Sequence, residues 1–219
     1  MAVKITYVQT VDLLGGVADA MIASKDELTT LDAALGDGDL GRTVDRGFTA
    51  IKTTLASADE FDSDLGKLLF KAGKTFADAA ASSFGALLGT AFMKGGMALK
   101  GSAEADGLAI VTALQTALDA LMERGKAKLG DKTMLDALYP AIEAMRTQLS
   151  ADDLTLTALL RAGADAAEAG AQQTQNMQSQ IGRASWQGER SVGHIDPGAR
   201  AVALMLDAAA RHSQTFDAA

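Results

Sequence analysis

Apolar positions recur at spacings of three and four almost from the start of the chain. Val8, Val11, Leu14, Val17, Met21 and Ile22 share one face of a helix that fades near Ser24. The stretch from Leu31 to Gly41 crowds three glycines and three aspartates together, which is poor helix material, and reads as a loop. Helical spacing resumes from Thr43 to Leu55 and again from about Asp64 to Ala81, where Ser82-Ser83-Phe84-Gly85 takes over. A fourth helix, rich in small residues, continues through Gly89, Gly95 and Gly96, and a fifth spans roughly Gly107 to Arg124. After the loop Gly125 to Gly130, Asp131 reads as the N-cap of a helix carrying Met134, Leu135, Leu138 and Ile142. Another helix runs from near Asp153 to about Gln175. Residues 176–196 hold too much Gly, Ser and Gln for a helix. Asp196-Pro197-Gly198 then opens the last one, with Asp as N-cap and Pro at the first helical position. No alternating run is long enough for a strand. The expectation is an all-α protein of about eight helices, with residues 1–219 forming a single domain.

Composition sharpens this picture. Of 219 residues 44 are alanine, aromatics make up 5% and there are two prolines, which favours close-packed helices over a β-sandwich. The net charge of −8 leaves no basic face for phosphate backbones, so a general nucleic-acid binder is excluded. The absence of cysteine rules out disulfides, zinc–thiolate sites, iron–sulfur clusters and thiol nucleophiles. Residues Met1 to Tyr7 lack the pattern of a secretion signal, and nowhere do eighteen apolar residues run together. A cytoplasmic protein with no membrane partner is expected.

The strongest local chemistry is Asp32…Asp37-Gly38-Asp39. Carboxylates at these spacings in a Gly-rich segment can converge on one point, and hard oxygen ligands suit Mg²⁺ or Ca²⁺. It is not an EF-hand: counted from Asp37, Arg42 and Phe48 stand where glycine and glutamate are needed. A solvated turn is the competing reading, but three acids this close repel one another unless a cation intervenes. Gly73-Lys74-Thr75 imitates the end of a P-loop, yet Leu68 occupies the position of the required upstream glycine and no strand precedes it. Ser82-Ser83-Phe84-Gly85 opens a helix whose N–H groups and dipole favour an anion, although ordinary turns look the same. The segment from Gly182 to Ala199 gathers the only tryptophan, Trp186, with Arg183, Arg190 and His194 in a nominal loop. Arg183 or Arg190 can neutralise phosphate charge during transfer. Ser191, His194 and Asp196 lie too close in sequence for a hydrolytic triad. His194 reads as a hydrogen-bonded structural histidine and His212 as solvated surface.

Taken in order, four blocks resemble the nucleotide-binding L subunits (DhaL-type) of bacterial dihydroxyacetone kinases. They are Leu31 to Gly41 with Arg46-Gly47-Phe48, Gly85 to Phe92, Arg124 to Ala137, and Gly182 to Ala199, the last being the most specific. The resemblance implies a single-domain α-helical barrel of antiparallel helices with the nucleotide at one end. It implies that Asp32, Asp37 and Asp39 hold two Mg²⁺ ions against the phosphates of ADP or ATP. Leu40, Gly41, Arg42 and Thr43, with Ser83 and Phe84, would lie beside the phosphates or sugar. Gly125 and Met134 would border the adenine, and Arg183, Asp196, Pro197 and Gly198 would complete the pocket. The implied activity is phosphoryl transfer to a short ketose on a separate K-type subunit. The donor is either ATP or ADP recharged by an M-type protein of the phosphotransferase system. Two departures stand out: Leu40 replaces the histidine that usually follows the last aspartate, and Ala81-Ser82-Ser83-Phe84-Gly85-Ala86 replaces Gly-Gly-Ala-Ser-Gly-Pro. They leave open an alternative, a non-catalytic regulator that docks on a transcription factor in a nucleotide-dependent way.

Overall fold

The computed structural model describes residues 3–217. Two three-residue strands, β1 (Lys4–Thr6) and β2 (Glu104–Asp106), pair antiparallel with Ile5 opposite Ala105. Nine α-helices make up most of the rest of the described residues: α1 (Tyr7–Ala23), α2 (Lys25–Leu35), α3 (Leu40–Leu55), α4 (Leu65–Ala79), α5 (Ser83–Met97), α6 (Gly107–Gly125), α7 (Leu135–Gln148), α8 (Leu156–Gln173) and α9 (Pro197–Asp217). Several begin on side-chain caps. Thr6 and Gln9 form a reciprocal capping box, while Asp64, Ser82, Asp106 and Thr155 each accept a backbone N–H from the first turn.

Eight of these helices close into a ring, each packed on the next: α1, α3, α4, α5, α6, α7, α8, α9 and back to α1. They alternate in direction. The small sheet gathers one end, where Tyr7 N–H donates to Ala103, Leu65 N–H to Ser102 and Gly107 N–H to Val3. The barrel reading therefore holds, and α2 is the extra helix, lying across the opposite end against α3 and α9. Alanine and glycine let the walls approach closely. A Cβ on Gly73 would sit 2.6 Å from the carbonyl oxygen of Gly89, so α4 and α5 meet backbone to backbone. One hydrophobic cluster fills the ring, with Phe48 and Phe76 edge to face at 5.2 Å in its middle.

Three expectations need correction. Asp32 lies on helix α2, and only residues 36–39 form a turn, because Leu31 to Leu35 are adequate helix formers and Gly36 is what stops them. Asp131 is not an N-cap. Its carboxylate accepts Lys128 N–H at 2.8 Å, and α7 starts four residues later because Lys132 adopts a left-handed conformation, φ +63°. The strands exist but, at three residues, are too short to show a period of two.

Candidate functional site

The turn between α2 and α3 is built from backbone constraints. Asp32 stands in the last turn of α2, whose end is sealed by Gly36 N–H donating to the Asp32 carbonyl at 2.6 Å. Gly38 takes φ +70° and swings the chain round, and Asp39 follows as the residue before α3 with no capping bond of its own. The result brings one carboxylate oxygen each from Asp32, Asp37 and Asp39 within 4.8 Å of one another. Hard oxygen donors at this separation fit a divalent cation such as Mg²⁺. Arg183 reaches across from the far segment to pair with Asp37. Leu40 buries its side chain in the core and presents its N–H to Asp32 at 3.2 Å.

These groups line a cavity of about 650 Å³, within the roughly 300–1,000 Å³ range of small-molecule sites. Three helices start at its wall: α3 at Leu40, α5 at Ser83 and α9 at Pro197. Each turns the positive end of its dipole toward the cavity, and α5 adds the N–H groups of Ser83 and Phe84, an arrangement that favours an anion facing the acidic cluster through a metal. Ser82 caps α5 through Gly85 N–H at 3.0 Å and also accepts the Thr43 hydroxyl at 3.2 Å. Asp196 caps α9 through Ala199 N–H at 2.7 Å. Part-buried and open only toward the cavity, it is pushed up to about 7 by burial, against the pull of the Ala199 N–H and the Lys132 cation.

Of the residues singled out in the sequence, Asp32, Asp37, Asp39, Leu40, Ser83, Phe84, Met134, Arg183, Asp196, Pro197 and Gly198 all line this cavity. Gly41, Arg42, Thr43 and Gly125 do not. Gly41 packs so tightly under α2 that a Cβ would lie 2.0 Å from the Lys25 carbonyl oxygen. Thr43 is buried and Arg42 points outward. Gly125 stands one layer behind Leu87, which is part of the wall. His194 is exposed, and only its carbonyl is engaged, by Lys132. Its expected structural hydrogen bond through the ring is absent among the described residues. Ser191 is buried among backbone partners, so no triad exists. His212 is half-buried against Gly16, its Nε2 3.0 Å from Asp12. Lys132 was missed altogether: it is 2% exposed, and a lone lysine in a sequence reads as surface.

A closed helical barrel with an acidic triad and three helix N-termini around one cavity defines a metal-assisted phosphate-handling protein. The comparisons agree. The DAK2 domain matches residues 34–211, and the chain belongs to that family. It is 34% identical over 203 residues to the ADP-binding subunit DhaL of the PEP-dependent dihydroxyacetone kinase of Escherichia coli (strain K12), covering 93% of this chain and 95% of that protein. It is 37% identical over 188 residues to the D-erythrulose kinase of Mycolicibacterium smegmatis, covering 86% of this chain but only 32% of that enzyme. The crystal structure of the dihydroxyacetone kinase from C. freundii in complex with AMP-PNP and Mg²⁺ superposes with a TM-score of 0.72 at 29% identity. That match covers 92% of this chain and 33% of the longer kinase.

Proposed function

We propose that this chain is the nucleotide- and Mg²⁺-binding subunit of a dihydroxyacetone-type kinase, with residues 1–219 forming one nucleotide-binding domain. It transfers a phosphoryl group to a short ketose held on a separate K-type subunit, and an M-type phosphotransferase protein recharges the ADP. The near-complete match to a stand-alone relative named as the ADP-binding subunit of a PEP-dependent kinase supports this arrangement over a fused, ATP-consuming one. Its working compartment is the cytoplasm, where phosphoenolpyruvate is made.

The observation that carries the reading is the convergence of Asp32, Asp37 and Asp39 at a cavity ringed by helix N-termini. These three carboxylates would hold Mg²⁺, which supplies charge neutralisation at the phosphate oxygens. The N–H groups of Ser83 and Phe84 at the start of α5 hold the phosphate oxygens in register beneath the N-terminus of α3 at Leu40, whose next residues, Gly41, Arg42 and Thr43, stand behind the wall. Met134, with the wall backed by Gly125, borders the base, and Asp196, Pro197 and Gly198 close the pocket. Arg183 offsets charge on the group in transit. No covalent residue is needed, since phosphoryl transfer depends chiefly on positioning and electrostatics.

Calorimetric titration of ADP and of ATP into nucleotide-stripped protein, first with Mg²⁺ and then with EDTA, tests this. Tight binding that vanishes with EDTA is expected, with ADP retained better than ATP. No heat from either nucleotide on a folded sample would refute it. The regulator reading predicts the same binding without turnover, and sugar-dependent transfer of the phosphoryl group from the bound nucleotide, with a K-type subunit present, decides against it.

A further inference from the structure

Lys132 is among the most completely buried large side chains in the protein, and a buried ammonium destabilises a fold unless every donor is met. Here all three are met by backbone carbonyls: Met177 at 3.1 Å, Ser191 at 2.5 Å and His194 at 2.6 Å. The three acceptors lie 45, 59 and 62 residues downstream and bracket one excursion of the chain. Two further bonds cross the same neck, Ser179 N–H to Ser191 Oγ at 2.9 Å and Gly193 N–H to the Gln175 carbonyl at 2.8 Å. Beyond the neck extends an arm, residues 183–191 of it wound as a 3-10 helix kinked at Gly188, whose internal bonds are short-range, such as Ser185 Oγ to the Gly182 carbonyl at 2.7 Å, so its placement over the cavity depends on the neck. That arm carries Arg183 over Asp37, and the chain leaving the neck enters Asp196-Pro197-Gly198 within two residues of His194.

Lys132 itself is aimed by its turn. Asp136 takes the N–H groups of Gly130 and Thr133 at 2.6 and 2.8 Å, and the Asp131 carbonyl takes Gln180 N–H at 3.1 Å. With its donors saturated, the ammonium has no hydrogen left for a ligand, although part of the side chain borders the cavity. We infer that Lys132 is a positioning residue, the pin that closes the neck of the 177–194 arm and so sets Arg183 at the phosphates, an inference that rests on the nucleotide-binding reading above. A methionine of similar length would fill the space but leave three buried carbonyls unmet, and the neck would open.

Two measurements on Lys132→Met test it. In nucleotide-free protein, amide hydrogen exchange across residues 182–190 should quicken by about tenfold or more while the α4 and α5 amides stay protected. Calorimetric affinity for Mg·ADP should fall by about 10- to 100-fold in the otherwise native protein, but by less than about threefold when Arg183→Ala is already present, because both changes disable the same contact. Unchanged exchange in the arm would overturn the inference and point to direct contact of Lys132 with the nucleotide. Fully additive losses of affinity would overturn it equally. Should Lys132→Met fail to fold, Lys132→Gln, which keeps two donors, is judged by the same two criteria. If Arg183→Ala alone leaves Mg·ADP binding intact, the assigned role of Arg183 fails instead, and the exchange result decides the pin by itself.

Discussion

Asp196 makes the free protein's stability depend on pH in a definite direction. Burial raises its folded-state value to about 7, whereas an unfolded aspartate titrates near roughly 3.9. Between those values the native state binds the extra proton, so stability is full at pH 4 and declines as pH rises toward 7, after which the loss is complete. A shift of about 3 units corresponds to a ceiling of roughly 4 kcal/mol at about 1.4 kcal/mol per unit. Because the carboxyl is only part-buried and opens on a wet cavity, about half of that, near 2 kcal/mol, is the reasonable expectation. Asp196→Asn keeps an oxygen for the Ala199 N–H and removes the titration. Thermal melts of nucleotide-free native and Asp196→Asn protein from pH 4.5 to 8 measure the difference curve. The variant should gain progressively with pH, reaching about 4–8 °C by pH 8 for a domain of this size. Parallel curves, or a gap that closes as pH rises, would refute the assignment.

Other perturbations have equally direct outcomes. Asp39→Asn should weaken Mg·ADP binding by about 100-fold or more in calorimetry while leaving the melting temperature of the free protein unchanged or slightly raised, since mutual repulsion among three acids is relieved. Gly85→Ala would place its Cβ 1.8 Å from the Ala80 carbonyl oxygen and force the start of α5 outward; urea unfolding should show a loss of about 2–3 kcal/mol. Trp186 is 85% exposed on the cavity rim, and under the proposed function it faces the subunit that brings the sugar. Trp186→Ala should lower turnover with that subunit by about tenfold or more, with Mg·ADP affinity within about twofold and no change in melting temperature.

The barrel could be read from the sequence because its signals are local. Helical spacing, Asp196 as a cap and Pro197 in the first turn each declare themselves within a few residues. The acid triad was legible for the same reason, since Asp32, Asp37 and Asp39 span eight positions. What local reading missed is set by tertiary contact. Helix α2 is short and polar, and Arg200 tethers it from α9 through Glu27 while also holding Glu168 on α8, a partnership no window of sequence contains. The role of Lys132 depends on acceptors 45 or more residues away. The place of Gly125 behind Leu87, not on the cavity wall, follows from how α5 and α6 pack, which spacing alone does not fix.

All but one of the eight seams of the ring join helices that follow each other along the chain, α2 intervening once. The exception is the seam between α1 and α9, where His212 meets Asp12 across 200 residues. Helices emerging from a ribosome can therefore stack in order, each on its predecessor, with little loop-closure entropy to overcome. The circle cannot shut until α9 arrives, and α9 begins with the residues that finish the pocket. Nascent chains of this protein should thus acquire most of their helical mass well before they can bind a nucleotide, with binding competence appearing late and abruptly.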